Sequence, residues 1–200
     1  MLIKYFGKCY SNTICSNCYA DIRGELLPPD ADIYVDGMPV GYEKAFLEEC
    51  VTYCPKCGQI VINAPHLHGI NKILSTDKDL TKKEVLDTVY KQYANDYVMS
   101  LYQEYCGDTT QAPVYLRAFI NKEAPLDRLS SLTVWQKIEY ADIYRRLGEF
   151  NTAMDILKSI GSKLALDELC RYMCKTELKA VQKKNTERNV VPRNLNIMIM

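Results

Sequence analysis

Two hydrophobic rhythms divide the chain. Up to residue 65 the apolar positions come in short β-prone runs interrupted by turn residues. "MLIKYF" predicts a first strand. "ADIYVDGMPVGY" places Asp36-Gly37 between two β-prone runs, a hairpin signal. "ECVTYC" and "QIVIN" have the β-branched and aromatic content of strands and flank the stretch CPKCG. "ELLPPDAD" reads as a connecting loop, because its prolines break any helix. "YEKAFLEE" predicts one or two helical turns.

After Asn63 the rhythm changes. "APHLHGINKILSTDKDL" has no clean period and reads as a linker. From Thr81 a helical period takes over, opened by a capping box of Thr81 and Glu84. Val85, Val89, Tyr93, Tyr97, Leu101 and Tyr105 recur every four residues. They predict one helix of about six turns, ended by Cys106-Gly107. "YLRAFINK" predicts a shorter helix, stopped before Pro125. Thr133 and Gln136 cap a further helix bearing Trp135, Ile138, Ala141, Tyr144 and Leu147, and Gly148 breaks it. Ala153, Ile156, Leu157 and Ile160 form the stripe of the next helix, ended by Gly161. Leu166, Leu169, Cys170 and Met173 mark a last one. The expected fold class is α+β: a small β-rich zinc ribbon followed by an all-α domain of helical hairpins. The expected division is a zinc-ribbon-like domain over 1–65, a linker over 66–80, a helical domain over 81–181 and a C-terminal tail over 182–200.

Cysteine spacing supplies the candidate chemistry. Cys15-x-x-Cys18 and Cys54-x-x-Cys57 each can set two sulfurs on one metal, with the turn's amides aimed at the thiolates. Together they make the four-thiolate set that structural zinc prefers. Gly58 lets the chain turn beneath the second pair, whereas Tyr19 stands where a glycine would help the first. A redox dithiol should follow a strand and open a helix, but "QIVIN" after Gly58 reads as strand. Cys9 and Cys50 read as small strand or core residues. His66 and His68 read as linker residues. Cys170 and Cys174 share a helix face and read as packing. The expected metal ligands are Cys15, Cys18, Cys54 and Cys57, and the expected cofactor is structural Zn2+.

No phosphate loop, nucleophile elbow, H-E-x-x-H or deaminase signature occurs, and the chain has two histidines for acid–base work. Glu48-Glu49 and Asp167-Glu168 read as solvated charge. No enzymatic activity and no small-molecule substrate are expected. Charge argues against nucleic acid as the main partner: 25 Lys+Arg balance 25 Asp+Glu over the chain. Residues 1–65 hold five basic and eight acidic side chains. A four-thiolate zinc would add two further negative charges. Only the tail is basic, through Lys183, Lys184, Arg188 and Arg193 against Glu187.

"EYADIYRRLGEFNTAMDILKSI", residues 139–160, resembles a tetratricopeptide-type helical hairpin at Tyr140, Ala141, Tyr144, Leu147, Gly148, Phe150 and Ala153. A single hairpin shows the pattern. Such arrays generally need about three repeats, so residues 81–106 and 163–181 must supply the remaining packing. The whole chain is similar to a group of uncharacterised bacterial proteins with an N-terminal zinc-ribbon-like module and a tetratricopeptide-like helical region. That resemblance rests on Cys15, Cys18, Cys54, Cys57 and residues 144–153. It implies a non-catalytic zinc-binding scaffold.

The expected function is therefore protein–protein interaction through the helical domain. The 15 tyrosines would serve as contact surface if exposed and as core if buried. The segment "NLNIMIM" would add as a strand to a partner or pack on its own domain. The alternative class is a nucleic-acid-associated zinc-ribbon regulator, with a thiol redox enzyme third. No stretch reaches the ~18–20 apolar residues of a membrane span, and "MLIKYFGKCY" is too short and polar for a signal peptide. The expected setting is cytoplasmic.

Overall fold

The computed structural model describes residues 13–15, 17–22, 31–48, 51–62, 80–123, 130–160 and 168–192. The strand expected over "MLIKYF", Cys9, Cys50, His66 and His68 with most of the linker, the stops at Pro125 and Gly161, and "NLNIMIM" lie outside those residues. The chain is α+β, with helices dominant and short antiparallel strands. The described residues fall into two compact units that alternate along the chain. One unit draws on Tyr5–Pro29 and Gly41–Ala112, the other on Asp30–Val40 and Pro113–Met200. This grouping cuts across the boundaries read from composition. The turn around Asp36 belongs with the later helices, and the first two long helices belong with the cysteine pairs.

In the cysteine-bearing unit, β1 (Thr13–Ile14) pairs antiparallel with β2 (Asp21–Ile22), and β4 (Val51–Tyr53) with β5 (Ile60–Ile62). Between the hairpins in sequence lies α1 (Glu43–Leu47), the helical turns expected from "YEKAFLEE". The single six-turn helix expected after Thr81 is instead two helices, α2 (Lys82–Tyr93) and α3 (Asp96–Tyr105). Apolar spacing alone runs straight through this break. The Asn95 side chain overrides it by accepting from Val98 N at 2.8 Å, so Ala94 and Asn95 turn extended and a new helix starts. The Thr81–Glu84 capping box opens α2 as expected. Tyr90 stacks on Tyr102 with ring centroids 4.1 Å apart, and its hydroxyl donates to the Leu47 carbonyl at 2.7 Å. Tyr102 donates to Asp87 at 2.8 Å. Glu48, read as solvated charge, instead accepts from Lys82 at 3.0 Å and from Tyr105 at 2.8 Å.

The other unit contains β3 (Ile33–Tyr34), α4 (Ala112–Glu123) from Pro113 onward, α5 (Val134–Arg146), α6 (Phe150–Ser159), α7 (Glu168–Gln182) and β6 (Val190–Val191). Helices α5, α6 and α7 pack on one another. Buried Ala141 and Ala153 keep α5 and α6 close, and Gly148 makes their turn at a φ of 78°. The Thr133–Gln136 capping box opens α5. The Asp36-Gly37 turn forms, with Gly37 at φ 94°, Gly37 N donating to Tyr34 O at 2.8 Å and a bridge between Ile33 and Pro39. Beyond that bridge, β3 pairs with β6, so two segments far apart in sequence share one ladder.

A buried arginine holds this unit together. Arg145, in the last turn of α5, is fully buried. It donates to Glu177 at 2.8 Å, to Asp142, and to the carbonyls of Asn185 and Glu187 at 2.6 and 2.7 Å. Asn189 donates to the other Glu177 oxygen. Arg188 pairs with buried Asp36 at 2.5 Å and lies 3.7 Å over the Tyr34 ring. The described part of the tail is stitched to the helices, because its carbonyls satisfy an arginine buried from solvent. Burial raises Glu177 to about 7, with the Asp142 charge adding and Arg145 pulling back.

Two outcomes follow from this cluster. Arg145→Met leaves Asp142 and Glu177 buried with less positive charge to meet them. It should cost about 3–5 kcal/mol in urea unfolding, and a loss below about 1 kcal/mol would contradict the buried clamp. Glu177 keeps its proton to about 7 when folded, against 4.5 when unfolded. The folded state therefore binds more protons between those values. Its contribution is present below 4.5 and is lost as pH rises through 7. Glu177→Gln should flatten that part of the stability–pH curve, read by thermal melts across the window.

Candidate metal centre

The two hairpins carry the same turn. After β1, Cys15 N donates to Ala20 O at 2.9 Å and Tyr19 N to Cys15 O at 2.8 Å. After β4, Cys54 N donates to Gln59 O at 2.7 Å and Gly58 N to Cys54 O at 2.9 Å. The residue after each second cysteine is left-handed: Gly58 at φ 72° and Tyr19 at φ 57°. Glycine takes this conformation freely, whereas a tyrosine Cβ crowds the backbone. The weaker sequence signal at Tyr19 thus corresponds to the same fold reached at a conformational cost.

These turns bring all four expected ligands together. The sulfurs of Cys15, Cys18, Cys54 and Cys57 lie within 4.8 Å of one another. The Cys15–Cys57 and Cys18–Cys54 sulfurs are 3.6 and 3.5 Å apart. A disulfide needs about 2.0 Å. A tetrahedron with Zn–S bonds of about 2.3 Å has S···S edges of about 3.8 Å. The spacing therefore fits four sulfurs around one metal and does not fit paired disulfides. The closest sulfur pairs join one hairpin to the other, so a shared ion would bind the two hairpins together. Cys15 and Cys54 are buried with Ile22 and Val61, and Cys18, Ala20 and Cys57 pack against them.

The surroundings favour thiolate unevenly. The Asn17 side chain hydrogen-bonds Cys57 and, with the Gln59 amide, pulls that thiol down to about 6. Burial pushes Cys54 up, but the amides of Cys57 and Lys56 and the Cys18 thiol outweigh it, and the net shift is downward. Burial pushes Cys18 up to about 12, against the Ala20 amide. One set of four mutually close thiols cannot ionise together without a cation to share the charge. Asn17 is a site residue that spacing did not single out. Its only sequence signal is a side-chain donor between the two cysteines of one pair, and its target sits in the other pair.

Among the described residues, the remaining cysteines do not join this group. Cys170 is buried on α7 as expected for packing, and burial pushes the half-buried Cys174 thiol up to about 11. Cys106 is exposed at the end of α3. Among the described residues no other cluster of histidine, cysteine or acidic side chains is placed to hold a metal. No described helix is long and apolar enough to cross a membrane. Comparison of the chain with family models, curated proteins and solved structures gives no match, so the reading of the site rests on its geometry.

Metal-free protein at pH 7 should be alkylated by iodoacetamide faster at Cys57 than at Cys18. The thiolate is the nucleophile, and the two thiols lie on opposite sides of neutrality. Peptide mapping by mass spectrometry reads the order, and equal labelling of the two would contradict the asymmetry.

Proposed function

We propose that the protein is a non-catalytic scaffold whose cysteine-bearing unit is held by one structural zinc and whose activity is to bind another protein. The observation that carries this reading is the closed ligand set. Four sulfurs within 4.8 Å of one another, all from the chain, fill a tetrahedral metal without leaving a position for water or substrate. Catalytic zinc keeps such a position. The two matched hairpins agree with a zinc-ribbon-like module. The α5–α6 pair agrees with a tetratricopeptide-like hairpin: buried Ala141 and Ala153, a left-handed Gly148 and Tyr144 inside. Reduced, metal-bound cysteines agree with a cytoplasmic setting.

The tyrosines refine where a partner would meet the chain. Tyr90, Tyr97, Tyr102, Tyr140 and Tyr144 are buried and serve as helical core. They are therefore removed from the contact surface that sequence placed on the helices. Tyr19 and Tyr53 are exposed and adjoin the cysteine turns.

Elemental analysis of protein purified without added zinc should find about one zinc per chain. Cys54→Ser should lose it, and with it the hydrogen-exchange protection of residues 13–22 and 51–62, while α5–α7 keep theirs. Metal-free protein with four titrating thiols would reject the scaffold and favour a redox dithiol.

A further inference from the structure

The two cysteine turns match in hydrogen bonding and differ in one side chain. Gly58 fills the left-handed position of the second turn without penalty, while the first places Tyr19 there, at φ 57°. A bulky residue in that conformation is an outlier. Its ring is 82% exposed, so burial does not offset the strain. A glycine would hold the same turn with less strain, and the chain itself shows this at Gly58. Strain kept at an exposed aromatic points to a use for the ring.

Two more exposed apolar side chains adjoin cysteines of the same cluster. Ile14 directly precedes Cys15 and is 62% exposed; Tyr53 directly precedes Cys54 and is 41% exposed. They occupy equivalent places in the two hairpins, where strand alternation turns the cysteine inward and its predecessor outward. Three of the seven large apolar side chains exposed among the described residues thus adjoin cysteines of one cluster. Lone exposed apolar residues need no explanation, but a group around one centre does.

Charge selects what such a face can take. Residues 13–22 and 51–62 contain Asp21 and Lys56 as their only charged side chains apart from cysteine, and these cancel. Four thiolates on a divalent ion leave two negative charges at the centre. A phosphate backbone is repelled by that centre. A guanidinium is attracted to it, stacks on a tyrosine ring through its flat face, and lays its aliphatic stem along apolar side chains. From the strained display of Tyr19, the apolar rim and the anionic centre, we infer that Ile14, Tyr19 and Tyr53 form the docking face for an arginine-bearing apolar segment of a partner protein. The inference rests on the metal reading above, since the bound metal fixes the charge.

The test uses full-length protein whose zinc content has been measured first, so that failure of the metal reading is seen before any ligand is added. The probe is a fluorescein-labelled peptide, acetyl-Gly-Leu-Arg-Leu-Arg-Ser-Gly-amide, followed by anisotropy. Its twin with glutamate for arginine and a labelled single-stranded RNA are run beside it. The arginine peptide should bind, more weakly as salt rises, and the other two should not. Tyr19→Gly should weaken binding about fivefold, the scale of one exposed cation–π contact, while keeping its zinc and melting no lower than wild type. Ile14→Ser should also weaken binding and keep its zinc. Undiminished binding to Tyr19→Gly would overturn the proposal. So would a lowered melting point in that variant, which would make the ring structural. Preference for RNA, or equal binding of the glutamate peptide, would overturn the choice of partner.

Discussion

Mutual repulsion among four sulfurs is the constraint on which the cysteine-bearing unit depends. Their positions within 4.8 Å of one another are set by two short hairpins with little apolar mass beneath them, chiefly Ile22 and Val61. Such a core is too small to hold two hairpins together by burial alone. A shared cation would turn the repulsion into attraction and join the hairpins at once. The backbone amides and the Asn17 side chain that point at the sulfurs do part of the same work, since each spreads negative charge away from a thiolate. Their pull is uneven: it lowers the Cys57 thiol, whereas burial raises that of Cys18.

The helical unit solves a related problem in the opposite manner. It buries a charge where charge is expensive, and supplies each nitrogen of the Arg145 guanidinium with acceptors from three pieces of chain. Asp142 comes from the same helix, Glu177 from α7, and the carbonyls from the segment leading to β6. An apolar residue would fill the space but would not choose among these pieces. The arginine makes the correct arrangement the only one that leaves no carboxylate stranded, and so defines the path of residues 185–189.

Much of this was legible in the sequence, for physical reasons that are local. Cys15, Cys18, Cys54 and Cys57 were readable because the turn chemistry is contained within five or six residues. The boxes at Thr81 and Thr133 were readable because both partners lie within one helical turn. What escaped depended on distant partners or on competition. Asn95 breaks a good apolar stripe because a side-chain cap outweighs continued spacing. The burial of Arg145 was not legible, since nothing nearby announces Glu177 or the carbonyls of Asn185 and Glu187. The contacts of Arg188 and Asn189 were not legible for the same reason. Tyrosine is ambiguous by nature, as its ring accepts burial and its hydroxyl accepts water, so Tyr90 and Tyr19 were not separable before their surroundings were known.

The pairing of β3 with β6 carries a consequence for how the chain is made. Strand β3 ends at residue 34 and its partner begins at residue 190. During vectorial synthesis, β3 emerges early and stays without its partner while the whole of 41–112 is produced. The cysteine-bearing unit has all its described elements by residue 105. It can close first, from the segments before and after residues 30–40, while the segment around Asp36 waits for Arg188. The open edge of β3 is then exposed for most of translation. Its shortness, two residues of ladder, leaves little template for a wrong strand to extend.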